Sequence, residues 1–169
     1  MDLIAVSETT TIFLQLALAT FLGMVLGVER SFAGKTAGMR TYALISLGAC
    51  LFVILSVLVT ALHLPVLNFD QLRVMAAVIT GVGFLGAGLI IFRDTKVQGL
   101  TTAASIWVSA GIGVAVGYQQ YAIATFTTLL ILFVFTMMWL VEQRLTASTP
   151  YRHKQLVEVE PISDPDVEQ

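Results

Sequence analysis

The sequence predicts an all-α integral membrane protein, a bundle of five transmembrane helices with its N-terminus outside and its C-terminus inside. Three observations carry this. The 169 residues are 57% hydrophobic and only 12% charged, about half the charge of a soluble domain, too little to keep a folded surface in water. The apolar residues come in long continuous runs. The basic residues collect in alternate connections between those runs.

A helix needs about 20 apolar residues to cross about 30 Å of hydrocarbon. Spans are expected at 11–28, 41–62, 72–92, 101–117 and 120–141, the fourth shorter and richer in small residues. None holds a charge in its interior. Arg73 lies at the outer start of the third, where its long side chain reaches the headgroups. Continuous rather than alternating apolar runs argue against a barrel. Backbone groups in lipid must be satisfied within the segment, which leaves helices. The membrane domain is therefore expected over 1–146. From 147 onward Pro150, Pro161 and Pro165 mix with Glu158, Glu160, Asp164, Asp166 and Glu168. That composition reads as a short, acidic, disordered cytoplasmic tail over 147–169.

Orientation follows from charge. Arg30, Lys35 and Arg40 fall in the first connection, Arg93 and Lys96 in the third, and Arg144, Arg152 and Lys154 after the last span. The opposite side has no Lys or Arg except Arg73. The positive-inside rule puts the first group in the cytoplasm, and five spans give the odd parity this requires. Residues 1–11 carry no positive charge before the first apolar run, unlike a cleaved signal peptide, so the first span is expected to be retained.

Turn signals agree with these boundaries. Pro65, Asn68, Phe69 and Asp70 break the chain after the second span, and Asp70 is a candidate cap for the third. Thr101 or Thr102 is expected to cap the fourth. Gly117, Tyr118, Gln119 and Gln120 form so short a turn that spans four and five should make an antiparallel hairpin. Tyr118, Tyr121 and Trp139 fall near interfaces, where amphipathic aromatics gather, and Trp107 is expected to be buried deeper.

The stretch from Gly81 to Gly88 reads GVGFLGAG and contains GxGxxG. A dinucleotide fingerprint needs a preceding strand and a helix opening at the glycines, and neither is predicted. Close helix packing is the better reading, because small residues let backbones touch where lipid removes the hydrophobic advantage. Gly81, Gly83, Gly86 and Gly88, with the pairs Gly23 and Gly27 and Gly113 and Gly117, are the expected packing positions. Span three is expected to be central, against spans one and four. A pore lining or a hinge is the sharper alternative for these glycines.

Charges flank the same spans. Glu29 and Arg30 end the first, Arg40 opens the second, Arg93 and Asp94 end the third, and Lys96 precedes the fourth. In a bundle they share one membrane depth, where unpaired charge is costly. An ion pair of Glu29 with Arg40 or Arg93 is expected. The surplus arginines are either an anion or partner site, or topology determinants around a structural salt bridge.

Absences narrow the chemistry. No ionisable residue lies mid-span, which leaves a proton relay or carboxylate cation site without members. There is no Walker loop and no metal-ligand cluster, and His63 and His153 stand alone. Cys50, the single cysteine, reads as a packing residue. The expectation is a non-enzymatic protein with no cofactor, no metal site and no nucleic-acid partner.

The motifs together resemble the MgtC/SapB family: Gly27-Val28-Glu29-Arg30, Ala37-Gly38-Met39-Arg40-Thr41, the GVGFLGAG stretch, and Gly99-Leu100-Thr101-Thr102-Ala103-Ala104-Ser105-Ile106-Trp107, in order, within 12–141. The resemblance implies a bacterial inner-membrane protein, with family motif positions at Glu29, Arg30, Gly38, Arg40, Gly83, Phe84, Gly86, Gly88, Gly99, Leu100 and Thr102. It implies a link to low magnesium, stress adaptation and virulence, and for some members inhibition of the ATP synthase. Longer members carry a soluble C-terminal domain, where only the acidic tail is expected here. The leading expectation is a membrane regulator that acts among lipids through protein partners: itself as a homo-oligomer, or another inner-membrane protein such as ATP synthase. The alternative is a channel or carrier for a small solute or ion such as Mg2+, lined from Gln15, Ser46, Ser56, Thr80, Thr101, Thr102, Ser105 and Ser109.

Overall fold

The computed structural model describes residues 3–62, 70–93 and 96–148. Pro65, Asn68, Phe69, Asp94 and the tail from 149 lie outside the described residues. The elements run α1 (Leu3–Phe32), α2 (Met39–Leu62), α3 (Gln71–Ala87), β1 (Ile91–Arg93), β2 (Lys96–Gln98), α4 (Leu100–Gly117) and α5 (Tyr121–Ser148). Among the described residues, four segments are long and apolar enough to cross a membrane: Glu8–Phe32, Met39–Ala61, Leu100–Gly117 and Tyr121–Val141. α3, at 17 residues, is a shorter apolar helix. The protein is a multi-pass membrane protein of the all-α class.

Two boundaries move outward from expectation. α1 begins at Leu3 rather than near 11, and α5 runs to Ser148, past the expected start of the tail. The third span is corrected more deeply. Its helix stops at Ala87 and the chain turns into an antiparallel hairpin, with Ile91 opposite Gln98, Phe92 opposite Val97 and Arg93 opposite Lys96. Gly86 and Gly88 weaken the helix, and Ile91, Phe92 and Val97 favour a strand. Gly99 closes the hairpin at φ 90, against the carbonyl of Leu89 where no side chain fits. Gly99 is also the N-cap of α4 and has no side-chain cap, so neither Thr101 nor Thr102 serves as the cap. Asp70 does cap α3, accepting from the Leu72 N–H at 2.9 Å.

α2 and α4 form the centre, and α1 packs on both. On α1, Gln15, Ala19, Leu22, Leu26 and Arg30 are buried at helical spacing, one stripe facing its neighbours. A Cβ added at Gly23 would sit 2.5 Å from the Tyr42 carbonyl oxygen, and one at Gly27 would sit 2.5 Å from the Met39 Cα. Gly113 meets the Ser46 backbone, and Gly117 meets Val53 and Cys50. These four glycines bring α1 and α4 onto α2.

α3 is not the central helix. It packs on α4 and α2 but forms no close pairing with α1. Gly81 and Gly83 have no described neighbour within 4 Å of a side-chain position, and Gly86 makes only ordinary contact with Ala103 at 3.6 Å. The glycines that close the bundle sit on α1 and α4 and meet α2, so α2 and α4 take the middle.

Residues 118–120 join α4 to α5, with Gln119 at φ 62. The small-residue faces of α4 are occupied by α1, α2 and α3. α5 buries Ala124, Thr128 and Phe135 and exposes Phe126, Leu129 and Phe133. Trp107, expected to be buried, is 49% exposed. Residues Met1–Phe135 make one compact unit. In the second, Thr136–Gln169, the described part is the end of α5, with Met137, Met138 and Trp139 exposed.

Replacing Gly113 by leucine should lower stability by about 1–3 kcal/mol, the cost of overpacking, because the new side chain meets the Ser46 backbone. Gly111, with open space around it, serves as the control. Its change to alanine should be neutral or stabilising by up to about 1 kcal/mol. Unfolding midpoints in detergent check both.

Candidate functional site

The last turn of α1 carries Glu29 and Arg30 into the end of the bundle where α2 and α4 begin. The Arg30 Nε donates to Glu29 Oε2 at 2.5 Å, and its Nη2 donates to Oε1 at 2.8 Å. The guanidinium carbon lies 3.6 Å from the centroid of the Phe135 ring on α5. The Arg30 side chain is 6% exposed and that of Glu29 23%. Three effects hold this charge: a two-pronged carboxylate partner, an aromatic face and a position near a helix C-terminus, which favours cations.

Both oxygens of Glu29 are thus engaged by its neighbour in sequence. The expected pair of Glu29 with Arg40 is replaced by this local one, and the Arg93 side chain lies outside the described residues. Arg40 is exposed at the start of α2, where it lines a shallow cavity of about 340 Å3 with Ser31, Gly38, Met39 and Thr41. Lys96 is exposed on β2, Arg93 ends β1 with its backbone paired to Lys96, and Asp94 is outside the described residues. Among the described residues at this end of the bundle, Glu29 and Arg30 join as an ion pair.

The turn from α1 to α2 is built by Ser31. Its hydroxyl donates to the Gly27 carbonyl at 2.9 Å and accepts from the Met39 N–H at 3.2 Å. Gly38 leaves it room, since a Cβ there would lie 2.5 Å from the Ser31 hydroxyl. Gly34 takes the left-handed conformation at φ 65.

One turn inward, Tyr42 is wholly buried. Its hydroxyl stands 2.5 Å from the Ser105 Oγ, which itself lies within reach of the Thr101 and Thr102 carbonyls. Ser105 donates to a carbonyl, so Tyr42 donates to Ser105. Ser109 donates to the Tyr42 carbonyl at 3.1 Å, and Gln15 donates to the Val116 carbonyl at 3.1 Å. Of the polar positions proposed as a lining, Ser56 and Thr80 bond to their own helices. Thr102 is buried and Thr101 exposed. The Ser46 hydroxyl is buried with no hydrogen-bond partner. The carbonyl one turn back, that of Tyr42, is the one Ser109 uses.

The remaining motif residues divide by exposure. Gly86 is buried, Gly88 caps α3, Phe84 is 80% exposed and Leu100 57%. Among the described residues no three His, Cys, Asp or Glu gather as metal ligands. Ser31, Tyr42 and Phe135 were not singled out from the sequence. The serines at 105 and 109, one helical turn apart, hint at a polar seam facing Tyr42, but nothing local connects Phe135 to Arg30.

Arg30→Ala should destabilise the protein by about 1.5–3 kcal/mol, the worth of hydrogen bonds to a charged group. The double change with Glu29→Ala should cost less than the sum of the single ones, since the pair acts as a unit. Denaturant unfolding of the four proteins in detergent measures the coupling.

Comparison with known proteins places this arrangement. Residues 16–144 match the MgtC family. The chain is 42% identical over 132 residues to the protein named Putative magnesium transporter YhiD from Escherichia coli K12, covering 75% of this chain and 61% of that one. Against protein SapB of Bacillus subtilis the identity is 42%, over 72% of this chain and 53% of the other. Against protein MgtC of Salmonella typhimurium strain LT2 it is 43%, over 70% and 48%. The chain spans about half to three fifths of the length of these relatives. No solved structure matches. By the extent of the family match and the identity to these relatives, the chain belongs to the MgtC family.

Proposed function

We propose that this protein is a non-enzymatic regulator in the bacterial inner membrane, acting on membrane protein partners under magnesium limitation or related stress. The observation that carries the reading is the outward face of α3. Ala76, Thr80, Gly83 and Ala87 are exposed at helical spacing, and Gly83 has open space where a side chain would stand. Faces of this kind admit another helix to backbone distance. Within the bundle, by contrast, most buried polar side chains are bonded inside the chain, chiefly to backbone carbonyls. The magnesium link rests on the name of YhiD and on family membership. A homo-oligomer and the ATP synthase are the candidate partners.

The proposed topology has the N-terminus outside, five crossings that include the short α3, and the C-terminus in the cytoplasm. It is supported by Arg30, Lys35, Arg40 and Lys96 at one end of the bundle and Arg73 at the other. A second reading, a carrier or channel for a small ion, is favoured by the polar seam of Tyr42, Ser105 and Ser109 beside the unpartnered Ser46 hydroxyl.

Inverted membrane vesicles with and without the protein distinguish the two readings. A regulator of the ATP synthase should reduce the gradient driven by ATP and leave the gradient driven by respiration intact. Loss of both indicates a leak and favours the channel. Gly83→Leu should abolish the effect and any crosslinking between copies through α3. Survival of both in that variant removes the α3 face from the mechanism.

A further inference from the structure

A groove of about 840 Å3 runs between α2 and α3, on the side of α3 away from Gly83. Leu44, Gly48 and Phe52 line one wall, and Ala77, Gly81 and Leu85 the other. Gly48 and Gly81 have nothing within 4 Å of a side-chain position, so they hold the groove open rather than admit a described element. Charge enters only at one end, where Asp70 and Arg73 form the rim, both exposed. Among the described residues they make no ion pair with each other. Asp70 spends one carboxylate oxygen on the Leu72 N–H, which leaves the other available.

The groove is at least as deep as one lipid leaflet. From Arg73 to Leu85 the helix rises about 18 Å at about 1.5 Å per residue. Half of a hydrocarbon core about 30 Å thick is about 15 Å. From its charged rim the groove runs about 18 Å inward along α3, at least the depth of one leaflet.

We propose that this groove is a binding site for a zwitterionic aminophospholipid, with phosphate on Arg73, ammonium on Asp70 and an acyl chain laid along Gly48 and Gly81. One base and one acid complement one phosphate and one amine. An anionic headgroup satisfies Arg73 but adds a second negative charge beside Asp70. A choline headgroup presents no N–H to the carboxylate. A water-soluble ligand gains nothing from so long an apolar trough.

The test uses the full chain in detergent, with phosphatidylethanolamine, phosphatidylglycerol and phosphatidylcholine of identical acyl chains, and bound lipid counted by native mass spectrometry. One phosphatidylethanolamine should be retained, preferred about five-fold or more over the others. Arg73→Gln should weaken it about five-fold, the worth of one basic contact to a phosphate surface. Asp70→Asn keeps an oxygen to cap α3 and should erase the preference over phosphatidylglycerol. Gly81→Leu fills the groove, meets no described neighbour and improves helix propensity. It should abolish retention without lowering the unfolding midpoint. Equal retention of all three lipids, or unchanged retention in Gly81→Leu, overturns the site as mere annular contact. Efficient crosslinking of Gly81→Cys between copies in liposomes also overturns it, by showing a second copy in the groove.

Discussion

Gly113 rests against the backbone at Ser46, and the distance this permits between α4 and α2 governs the rest of the bundle. In lipid, apolar side chains gain little by meeting one another, and helices associate by close van der Waals fit and by hydrogen bonds. At backbone distance Ser109 reaches the Tyr42 carbonyl and Tyr42 reaches Ser105. With a side chain at position 113 both bonds lengthen together. The closeness has its cost at the same spot, where Ser46 keeps a hydroxyl with no partner because Ser109 has taken the acceptor of its own helix. Gly23 on α1 repeats the device at the same level of α2, against the Tyr42 carbonyl and the Ser46 Cβ.

The bundle end with Arg30 follows a different logic. A guanidinium at this depth is held by its sequence neighbour and by one ring from α5, so the charge is compensated locally. Arg40 and Lys96 remain outside that arrangement and exposed. Polar chemistry inside the chain is largely turned inward, while α3 and α5 present apolar and small residues outward. That division is what inclines the functional reading toward binding in the plane of the membrane.

Much of this was legible in the residues. Continuous apolar runs announced helices, Asp70 announced a cap, and the paired glycines of the first and fourth spans announced close contacts. The glycines of α3 misled because smallness says that something can approach, not which element does. The hairpin was invisible because Leu89 to Phe92 extends an apolar run, and periodicity over so short a stretch does not separate strand from helix. The contact of Arg30 with Phe135 joins residues far apart in sequence and has no local signal. The inward turn of Glu29 to Arg30, rather than to Arg40, depends on side-chain geometry that spacing does not encode.

The early end of α3 bears on the surrounding bilayer. Its 17 residues rise about 26 Å, whereas the 24 residues of α2 rise about 36 Å at about 1.5 Å each. The hairpin that follows has outer edges with unpaired N–H and C=O groups, which hydrocarbon does not tolerate, so it must ride at the water interface or be covered. The lipid beside α3 therefore meets a shorter apolar wall than the lipid beside α2. Such hydrophobic mismatch thins the membrane locally, and a protein that carries it on one flank will settle, and gather neighbours, where the bilayer is already thin.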